Sequence, residues 1–441
     1  MKLLDIVVLL LEGNKLNCDT MQFGFHAKAS TTMCSWAATA VIDHYNRQGR
    51  DVFGCAMDLS RAFDLVEWLE LFRVLRRRGV APVFLRVLLN IYANQMCDVQ
   101  WNGMSSFKFS VTNGVRQGSV SSPILFSVYI DDLFKILRAS GFGCRVVNSF
   151  FGCFGYADDL LVLSASRSGL QSMINLCSDF ALSKSLKFST NKDPIKSKTK
   201  CIIFTKKRKK FEDIPPVILY GDPLPWVSEL KHLGNILEVD NSMKKDCSTK
   251  RANFVGKLNS LQQEFHFVKP DILVKILNIY AVSFYGSALW DIFSADCDRF
   301  YKAWNVCIRI FFNLDRGTHH YLIEPLSNSL HPQVMLASRF GKFLRTLRTC
   351  DKFGIRLLAS ICATDQHTVI GKTLTQISEK CNCSLKNLTA CGVKKMMRYN
   401  QNTEEEGWRT GIAREIIDDN LSVPGFTDKE LEEILHYICV S

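Results

Sequence analysis

The sequence has no uncharged apolar run of the roughly 20 residues that would span a bilayer. Its apolar start, residues 1–11, carries Asp5 and is followed by Glu12. No small-residue cleavage site follows it, which argues against a signal peptide. We therefore predict a buried helix at this position and no membrane partner. Internal repeats and low-complexity tracts are also absent from the sequence.

Cysteine is abundant, but it lacks the spacing of a disulfide framework or of a zinc site. The 17 cysteines are odd in number and scattered, and a chain of this length and apolar content does not need disulfides to fold. We expect reduced thiols and an intracellular protein, in the cytoplasm or the nucleus. The densest group, Cys381, Cys383 and Cys391, is followed by no second pair at zinc-finger spacing.

The composition, 22% charged and 47% hydrophobic, excludes a disordered or collagen-like chain. The 441 residues suggest two or three domains. A net charge of +12 favours acidic partners, nucleic acid first among them, although a soluble protein with a basic surface explains the charge equally well. The basic run Lys206–Lys210 has three interpretations: phosphate contacts, a nuclear import signal, or a solvated loop.

Apolar periodicity predicts an α+β first half and a largely helical second half from Cys247 onward. The pattern favours helices over Thr31–Arg47 and Leu59–Gly79, and a buried strand over Asp51–Asp58. Two further strands are expected around residues 155–159. A hairpin is expected to turn near residues 102–103, where Asn and Gly follow each other.

Three aspartates stand at the ends of apolar segments. Asp58 ends the predicted strand, and Asp158 and Asp159 form the turn between two apolar runs. Buried carboxylates are costly unless they are paired or bind a cation. Mg²⁺ prefers such hard oxygen ligands, and two ions about 3.5–4 Å apart can activate a 3′-hydroxyl and stabilise a leaving pyrophosphate. The alternative is that each aspartate is an exposed turn or cap residue, but the flanking sequence weakens that interpretation.

Five segments resemble, in order, the motifs of reverse transcriptases, and their spacing is similar to that of non-LTR (LINE-type) retrotransposon polymerases. The segments are Ala56–Asp64, Asn113–Pro123, Phe154–Asp159, Leu186–Phe204 and the primer-grip turn Leu230–Gly234. The resemblance runs from about Gln22 to Gly234 and continues more weakly beyond it. Five motifs in order are highly specific, whereas any one of them alone would be only suggestive.

The resemblance implies an α+β right-hand polymerase with partial fingers, a palm of antiparallel sheet and helices, a helical thumb and a mainly α C-terminal region. The implied boundaries are residues 1–50 for the partial fingers, 51–240 for the palm with a finger insertion, 241–316 for the thumb and 317–441 for a region of unknown role. The implied function is RNA-directed DNA polymerase activity, which adds dNTPs to the 3′ end of a DNA primer on an RNA template. Its cofactors would be two Mg²⁺ ions, or Mn²⁺ in their place.

The resemblance also assigns roles to single residues. Asp58 and Asp158 would bind both metals, with assistance from Asp159 and the Leu59 carbonyl. Lys198 would donate a proton to the leaving pyrophosphate, with Lys196 and Lys200 as close alternatives. The residues implied in nucleotide, template or primer-terminus contacts are Phe63, Arg116, Gln117, Gly118 and Ala157, and those of the primer grip are Lys231, His232, Leu233 and Gly234.

Phe63 would exclude a 2′-hydroxyl and so select deoxynucleotides, which argues against an RNA-dependent RNA polymerase. The alternative for Phe63 is a core aromatic residue on an amphipathic helix. Farther along, Trp290, Tyr301 and Trp304 lie among basic residues. They could stack on nucleic-acid bases, or they could fill the core of a helical thumb.

The sequence departs from the family pattern at its start. Nothing before Gln22 supplies the basic finger residues that grip a triphosphate, and His26 stands where the family usually has arginine. We therefore expect a chain truncated at the N-terminus that has lost part of its triphosphate clamp, a large catalytic contribution. The alternative function is a catalytically inactive, degenerate or domesticated nucleic-acid-binding protein that keeps the fold.

Overall fold

The computed structural model describes residues 2–191, 197–206, 214–265, 268–282, 284–319, 323 and 332–380. The helices are α1 (Lys2–Glu12), α2 (Thr31–Arg47), α3 (Trp68–Arg77), α4 (Pro82–Ala93), α5 (Ser122–Ala139), α6 (Arg167–Ser183), α7 (Lys244–Phe265), α8 (Pro270–Ile276), α9 (Ala295–Phe311), α10 (Pro332–Thr349), α11 (Phe353–Thr364) and α12 (Val369–Lys380). Short 3₁₀ turns cover Gly13–Leu16 and Ser287–Leu289, and a π-helical turn covers Leu277–Ala281.

The strands of the described chain are mostly short. They are β1 (Val52–Asp58), β2 (Met96–Cys97), β3 (Gln100–Trp101), β4 (Met104–Ser105), β5 (Phe109–Ser110), β6 (Arg145–Val146), β7 (Ser149–Phe150), β8 (Cys153–Tyr156), β9 (Asp159–Ser164), β10 (Lys200–Phe204), β11 (Val217–Leu219), β12 (Asp222–Leu224), β13 (Glu229–His232) and β14 (Asn235–Glu238). Helices and strands together agree with the predicted α+β class. The hairpin predicted near residues 102–103 is observed between β3 and β4.

A four-stranded antiparallel sheet in the order β10-β1-β9-β8 positions the candidate site. The apolar strand β1 lies inside the sheet, where Cys55 pairs with Cys201 of β10 on one side and with Val162 of β9 on the other. Helix α6 packs on β1 and β9, and α5 packs on α6 and on α3. The predicted strand over Asp51–Asp58 is therefore confirmed as β1, and both of its edges are paired.

Local sequence signals explain where several helices begin. The hydroxyl of Ser30 accepts a hydrogen bond from the Met33 N–H (3.1 Å) and caps α2. Ser166 caps α6 by accepting from the Gly169 N–H (3.0 Å). Such side-chain caps satisfy backbone donors that the first helical turn leaves free. The prediction of a helix over Thr31–Arg47 is confirmed by α2.

The helix predicted over Leu59–Gly79 is wrong in its first part, since α3 begins only at Trp68. Residues 59–67 are instead held by distant backbone: the Ser60 N–H donates to the Lys187 carbonyl (2.9 Å). Arg61 adopts a φ of +49°, which no helix contains. The segment that contains Phe63 is therefore not a helix. It is a turn that hydrogen bonds to distant backbone hold in place.

The predicted N-terminal helix is observed as α1, but its predicted burial is wrong. Leu3 and Leu10 are 79% and 78% exposed. The buried side chains of α1 include Asp5, which accepts hydrogen bonds from the hydroxyls of Ser119 (2.6 Å) and Ser121 (3.1 Å). Hydroxyl donors satisfy this carboxylate, so a charged group faces inward while leucines face solvent.

The chain divides into two compact units. The first comprises residues 1–34, 41–233 and 239–241, and the second comprises residues 35–40, 234–238 and the chain from 242 onward. The predicted division into fingers, palm, thumb and tail stays a prediction. None of the helices in the described part of the chain combines the length and apolar composition needed to cross a bilayer.

The second unit has an aromatic core between α7 and α9. Phe254 stacks on Trp304 with ring centroids 4.9 Å apart. Trp290, Tyr301 and Trp304 are at most 6% exposed. Core packing, rather than stacking on nucleic-acid bases, therefore explains these three residues. The cysteine group at residues 381–391 lies outside the described residues, as do Lys196 and all of the basic run except Lys206.

Candidate active site

The three predicted catalytic aspartates lie together at one end of the central sheet. Strands β8 and β9 form a hairpin in which Tyr156 pairs with Asp159, so Ala157 and Asp158 make the connecting turn. Across the next strand pair, Asp58 is directly opposite Asp159. Side chains of directly opposed residues lie on one face of a sheet, about 4.5–5.5 Å apart at Cβ. The register therefore brings the first motif and the third motif to one place.

The electrostatics of this cluster show an excess of negative charge. Loss of solvation on burial raises the pKa of Asp158, and the Asp58 carboxylate raises it further. Burial likewise raises the pKa of Asp159 to about 6, with added contributions from Asp158 and Asp58. The ammonium of Lys198 lowers the pKa of both residues without cancelling the rise. A raised carboxylate pKa means that the local structure disfavours the charged form.

Asp58 and Lys198 form an ion pair, with the Lys198 Nζ 3.2 Å from the Asp58 Oδ2. This oxygen is buried, and no group of the described residues, Lys198 included, makes a hydrogen bond of good geometry to it. Lys198 itself is 68% exposed and therefore reaches the carboxylate from the solvent side. The buried oxygen of Asp58 therefore has an exposed lysine, and not an interior group, as its ion-pair partner.

The residues at the site fit a divalent metal in their chemistry, although their side chains do not form a ready cage. Among the described residues, no group of three or more His, Cys, Asp or Glu side chains is placed to hold a metal ion together. Mg²⁺ usually takes only one or two protein carboxylates, with substrate phosphates and water completing its shell. The buried Asp58 Oδ2 and the uncompensated charge of Asp158 and Asp159 meet that smaller requirement.

The backbone around Leu59 directs its carbonyl toward this end of the sheet. Leu59 forms an antiparallel bridge with Phe188. The bonds of that bridge are made by the flanking residues, Ser60 N–H to the Lys187 carbonyl (2.9 Å) and Ser189 N–H to the Asp58 carbonyl (2.8 Å). In such a pair the central residue's own carbonyl points away from the partner strand. It therefore points to the β9 side, where Asp159 lies.

The second motif packs directly on the first. Gly114, with φ +85°, lies so close to Asp64 that a Cβ on it would fall 2.9 Å from the Asp64 carbonyl oxygen. Its N–H donates to the Val66 carbonyl (2.8 Å). The exposed Gln117 follows, and its Nε2 donates to the Asp64 Oδ1 (3.3 Å). Only glycine permits this approach, and it places Gln117, with its neighbours Arg116 and Gly118, beside the first motif.

Phe63 stacks on Phe126 of α5, with ring centroids 4.7 Å apart and planes 24° apart. Phe126 is fully buried. Phe63 itself is half-buried and lies in the turn of residues 59–67. Its ring therefore packs on the core, as the alternative of a core aromatic residue predicts, but from a turn and not from a helix.

The predicted primer-grip residues surround a turn between β13 and β14. Leu233 and Gly234 have φ values of +47° and +78°. His232 is buried, and burial lowers its pKa to about 4, so its ring is neutral at pH 7. Lys231 is exposed. Lys231 and Gly234 are thus the solvent-exposed parts of this motif, while the His232 ring is buried.

Sequence reasoning missed a residue that forms hydrogen bonds to the third motif. The buried Gln22 has its Oε1 3.2 Å from the Ala157 N–H, which donates to it. Sequence patterns place Gln22 in a finger motif, and nothing local in them connects it with a turn so far along the chain. Phe126 and Asp64 were missed for the same reason.

Residues 3–237 match the family model described as "Reverse transcriptase (RNA-dependent DNA polymerase)". The chain is 31% identical over 183 residues to the Retrovirus-related Pol polyprotein from type-2 retrotransposable element R2DM of Drosophila melanogaster, which covers 41% of this chain and 17% of that protein. It is 25% identical over 251 residues to the RNA-directed DNA polymerase from mobile element jockey of Drosophila funebris, which covers 53% of this chain and 26% of that protein.

A telomerase structure from Candida tropicalis matches with a TM-score of 0.43 and 12% identity, over 96% of this chain and 56% of that one. The family match confirms the predicted resemblance and fold class. The two relatives come from mobile elements, as the resemblance to non-LTR retrotransposon polymerases predicted. This chain spans only about a sixth of the first relative's length and about a quarter of the second's.

Proposed function

Because the chain belongs to the reverse transcriptase family, we propose that it is an RNA-directed DNA polymerase domain that extends a DNA primer with dNTPs on an RNA template. The observation that carries the proposal is the register of Asp58 opposite Asp159, beside the Asp158 turn. This cluster holds more negative charge than Lys198 balances. A polymerase active site needs this arrangement, and an ordinary turn does not.

In the proposed mechanism, Asp58 and Asp158 would hold two Mg²⁺ ions, with Asp159 and the Leu59 carbonyl assisting; Mn²⁺ could replace them. The ions would activate the primer 3′-hydroxyl and stabilise the negative charge of the departing pyrophosphate. With such ions in place, the charge of Asp58 would be balanced without the Lys198 ammonium. Lys198 is exposed enough to turn toward the pyrophosphate and donate a proton to it.

The neighbouring residues orient the nucleotide in this proposal. Phe63, backed by Phe126, presents a ring face where a 2′-hydroxyl would project, and so favours deoxynucleotides. Gln117, Arg116 and Gly118 line the base and template side. Ala157 lies at the primer terminus, and Lys231 with the Leu233–Gly234 turn supports the primer strand. The basic charge of the chain, +12, suits template and primer phosphates.

The direct test is primer extension with purified protein, a DNA primer annealed to an RNA template, dNTPs and Mg²⁺. Asp158→Asn should abolish extension, since the substitution removes charge with little change in shape. The matched control is Asp179→Asn, an exposed aspartate of α6 outside the cluster, which should extend at the wild-type rate. Extension that survives Asp158→Asn would remove the cluster from the mechanism.

A second candidate is a protein that binds template and primer without catalysis. The observation that favours it is that His26 stands in the finger motif where the family usually has arginine. Such a protein would bind template–primer with a steep salt dependence and add no nucleotide with either Mg²⁺ or Mn²⁺. Absence of template–primer binding at low salt would contradict both candidates.

A further inference from the structure

We propose that Gln22 is a positioning residue, which fixes the Ala157–Asp158 turn and thereby the two carboxylates that follow from it; the inference rests on the proposed function. A two-residue hairpin turn leaves the N–H of its first residue without a partner in the hairpin itself. Ala157 is nevertheless 6% exposed and adopts a φ of +57°. A buried peptide in this strained conformation persists only when surrounding groups hold it.

The Gln22 amide supplies the missing partners on both sides of Ala157. Its Oε1 accepts from the Ala157 N–H (3.2 Å) and from the Gly24 N–H (3.0 Å). Its Nε2 lies 3.4 Å from the Ala157 carbonyl oxygen and donates to it. Gln22 is fully buried, so solvent does not compete for these bonds. One amide group therefore contacts both the donor and the acceptor of one turn residue.

The backbone of residues 21–24 is itself fixed against the hairpin. The Phe23 N–H donates to the Gly155 carbonyl (2.7 Å), and the Gly155 N–H donates to the Met21 carbonyl (2.9 Å). Gly24 then passes so close that a Cβ on it would fall 2.4 Å from the Ala157 nitrogen. Glycine is required there. The Gln22 side chain is thus anchored on both sides by backbone that touches the same turn.

The consequence for chemistry is indirect. Gln22 contacts the peptide between Tyr156 and Asp158, and not the carboxylates or a nucleotide. Without it, the turn would sample other conformations and Asp158 would leave its working position. Displacement of about 1 Å in a catalytic group can cost about 100-fold in rate. Loss of Gln22 should therefore lower kcat far more than it changes the KM for dNTP.

The experiment combines amide hydrogen exchange with kinetics on wild type, Gln22→Met and a stability control. Gln22→Met keeps the length of the side chain but removes its donor and acceptor. Ile174→Ala, in the buried face of α6, opens a cavity that lowers stability without removing a bond to the turn. Exchange at the Ala157 amide is measured without nucleotide or metal, and primer extension is measured with both.

In the wild type, the Ala157 amide should exchange slowly for a turn residue. In Gln22→Met its exchange should accelerate by about tenfold or more, and kcat should fall by about tenfold to 100-fold with KM for dNTP within about threefold. Ile174→Ala should reproduce neither change at a temperature where it is folded. Unchanged exchange at Ala157 in folded Gln22→Met would overturn the proposal, and so would equal acceleration in Ile174→Ala.

If Gln22→Met does not fold, the rate of hydrogen exchange at the Ala157 amide of the wild-type protein tests the proposal. Slow exchange at Ala157 supports the proposal, and the rate of an unprotected turn overturns it. If the wild type adds no nucleotide, the proposed polymerase function fails, while the exchange measurements still test whether Gln22 holds the turn. The two failures are therefore distinguishable.

Discussion

Each of the two units contains an aspartate withdrawn from solvent, and the two are treated in opposite ways. In the second unit, Asp246 is 1% exposed and accepts hydrogen bonds from the Lys250 Nζ (2.8 Å), the Trp290 Nε1 (2.8 Å) and the Ile236 N–H (3.0 Å). In the first unit, the Asp58 Oδ2 faces a surface lysine and receives no hydrogen bond of good geometry from the described residues. One carboxylate is thus fully hydrogen-bonded, whereas the buried oxygen of the other has an exposed lysine as its ion-pair partner.

The largest expected effect is on the rate of primer extension, and it should follow from removing the charge of Asp58. Asp58→Asn should reduce primer extension by at least about 10³-fold, because the substitution removes a charge that stabilises developing charge at the reacting phosphate. The measurement is the initial rate at saturating dNTP and Mg²⁺. Asp246→Asn, assayed where it is folded, serves as the comparison. An equal loss of extension rate in Asp246→Asn would show that Asp58 has no special role in catalysis.

The next effect is on the free energy of unfolding. Here the loss of Asp246 should have the larger effect and the loss of Asp58 the smaller one. Asp246→Ala should lower the free energy of unfolding by about 3–5 kcal/mol, since Lys250 and the Trp290 indole lose their acceptor in a buried place. Urea unfolding followed by tryptophan fluorescence measures it, as Trp290 and Trp304 lie in this core. Asp58→Ala should cost less than about 1 kcal/mol, because its partner Lys198 is exposed. A larger cost for Asp58→Ala would mark it as structural.

Each unit also contains a phenylalanine stacked on another aromatic ring, Phe63 in the first and Phe254 in the second, and only Phe63 should affect the choice of sugar. Phe63→Ala should reduce the preference for dNTP over rNTP by about tenfold to 100-fold, because an open space would then accept a 2′-hydroxyl. Competing dNTP and rNTP in single-nucleotide extension measures this ratio. Phe254→Leu, in the stacked pair of the second unit, should lower stability without changing the ratio. If Phe63→Ala left the ratio of dNTP to rNTP incorporation unchanged, Phe63 would not select the sugar.

The smallest effect is a change in melting temperature with pH in metal-free buffer. The folded-state pKa of Asp159, about 6, lies above the usual value, so the folded protein loses stability as pH rises from about 4 to about 6. Asp159→Asn should remove this loss and raise Tm by about 1–3 °C at pH 7.5. The gain should shrink as pH falls toward 4. Asp246→Asn should instead lower Tm at pH 7.5. A lower Tm for Asp159→Asn at pH 7.5 would contradict the conclusion that negative charge is in excess around Asp58, Asp158 and Asp159.

Local signals in the sequence were enough for the elements of the site, though not for their register. Apolar periodicity predicts α2, and the apolar run of β1 predicts the strand that ends in Asp58. The two apolar runs around the Asp158–Asp159 turn predict a hairpin. What they do not contain is the pairing of Asp58 with Asp159, which depends on hydrogen bonds between strands about 100 residues apart. The family resemblance supplied that proximity as an expectation.

The failures of prediction share one physical cause, which is a distant partner that overrides a local preference. Residues 59–67 have helical periodicity, yet distant backbone takes up their hydrogen bonds: the Ser60 N–H donates to the Lys187 carbonyl, and the carbonyls of Phe63 and Val66 accept from the N–H groups of residues 115 and 114. Asp5 lies inward since Ser119 and Ser121 donate to it. Gln22 meets Ala157 across more than 130 residues. None of these partners leaves a trace in the neighbouring sequence.

The interior place of β1 in the sheet has a consequence for how the protein is made. Both neighbours of this strand come later in the chain, and the second of them ends only at Phe204. A nascent chain therefore carries an apolar strand with at least one bare edge until the ribosome has passed that point, and such an edge is open to pairing with other chains. We expect fragments that stop before Phe204 to aggregate during expression, whereas fragments that include it should not.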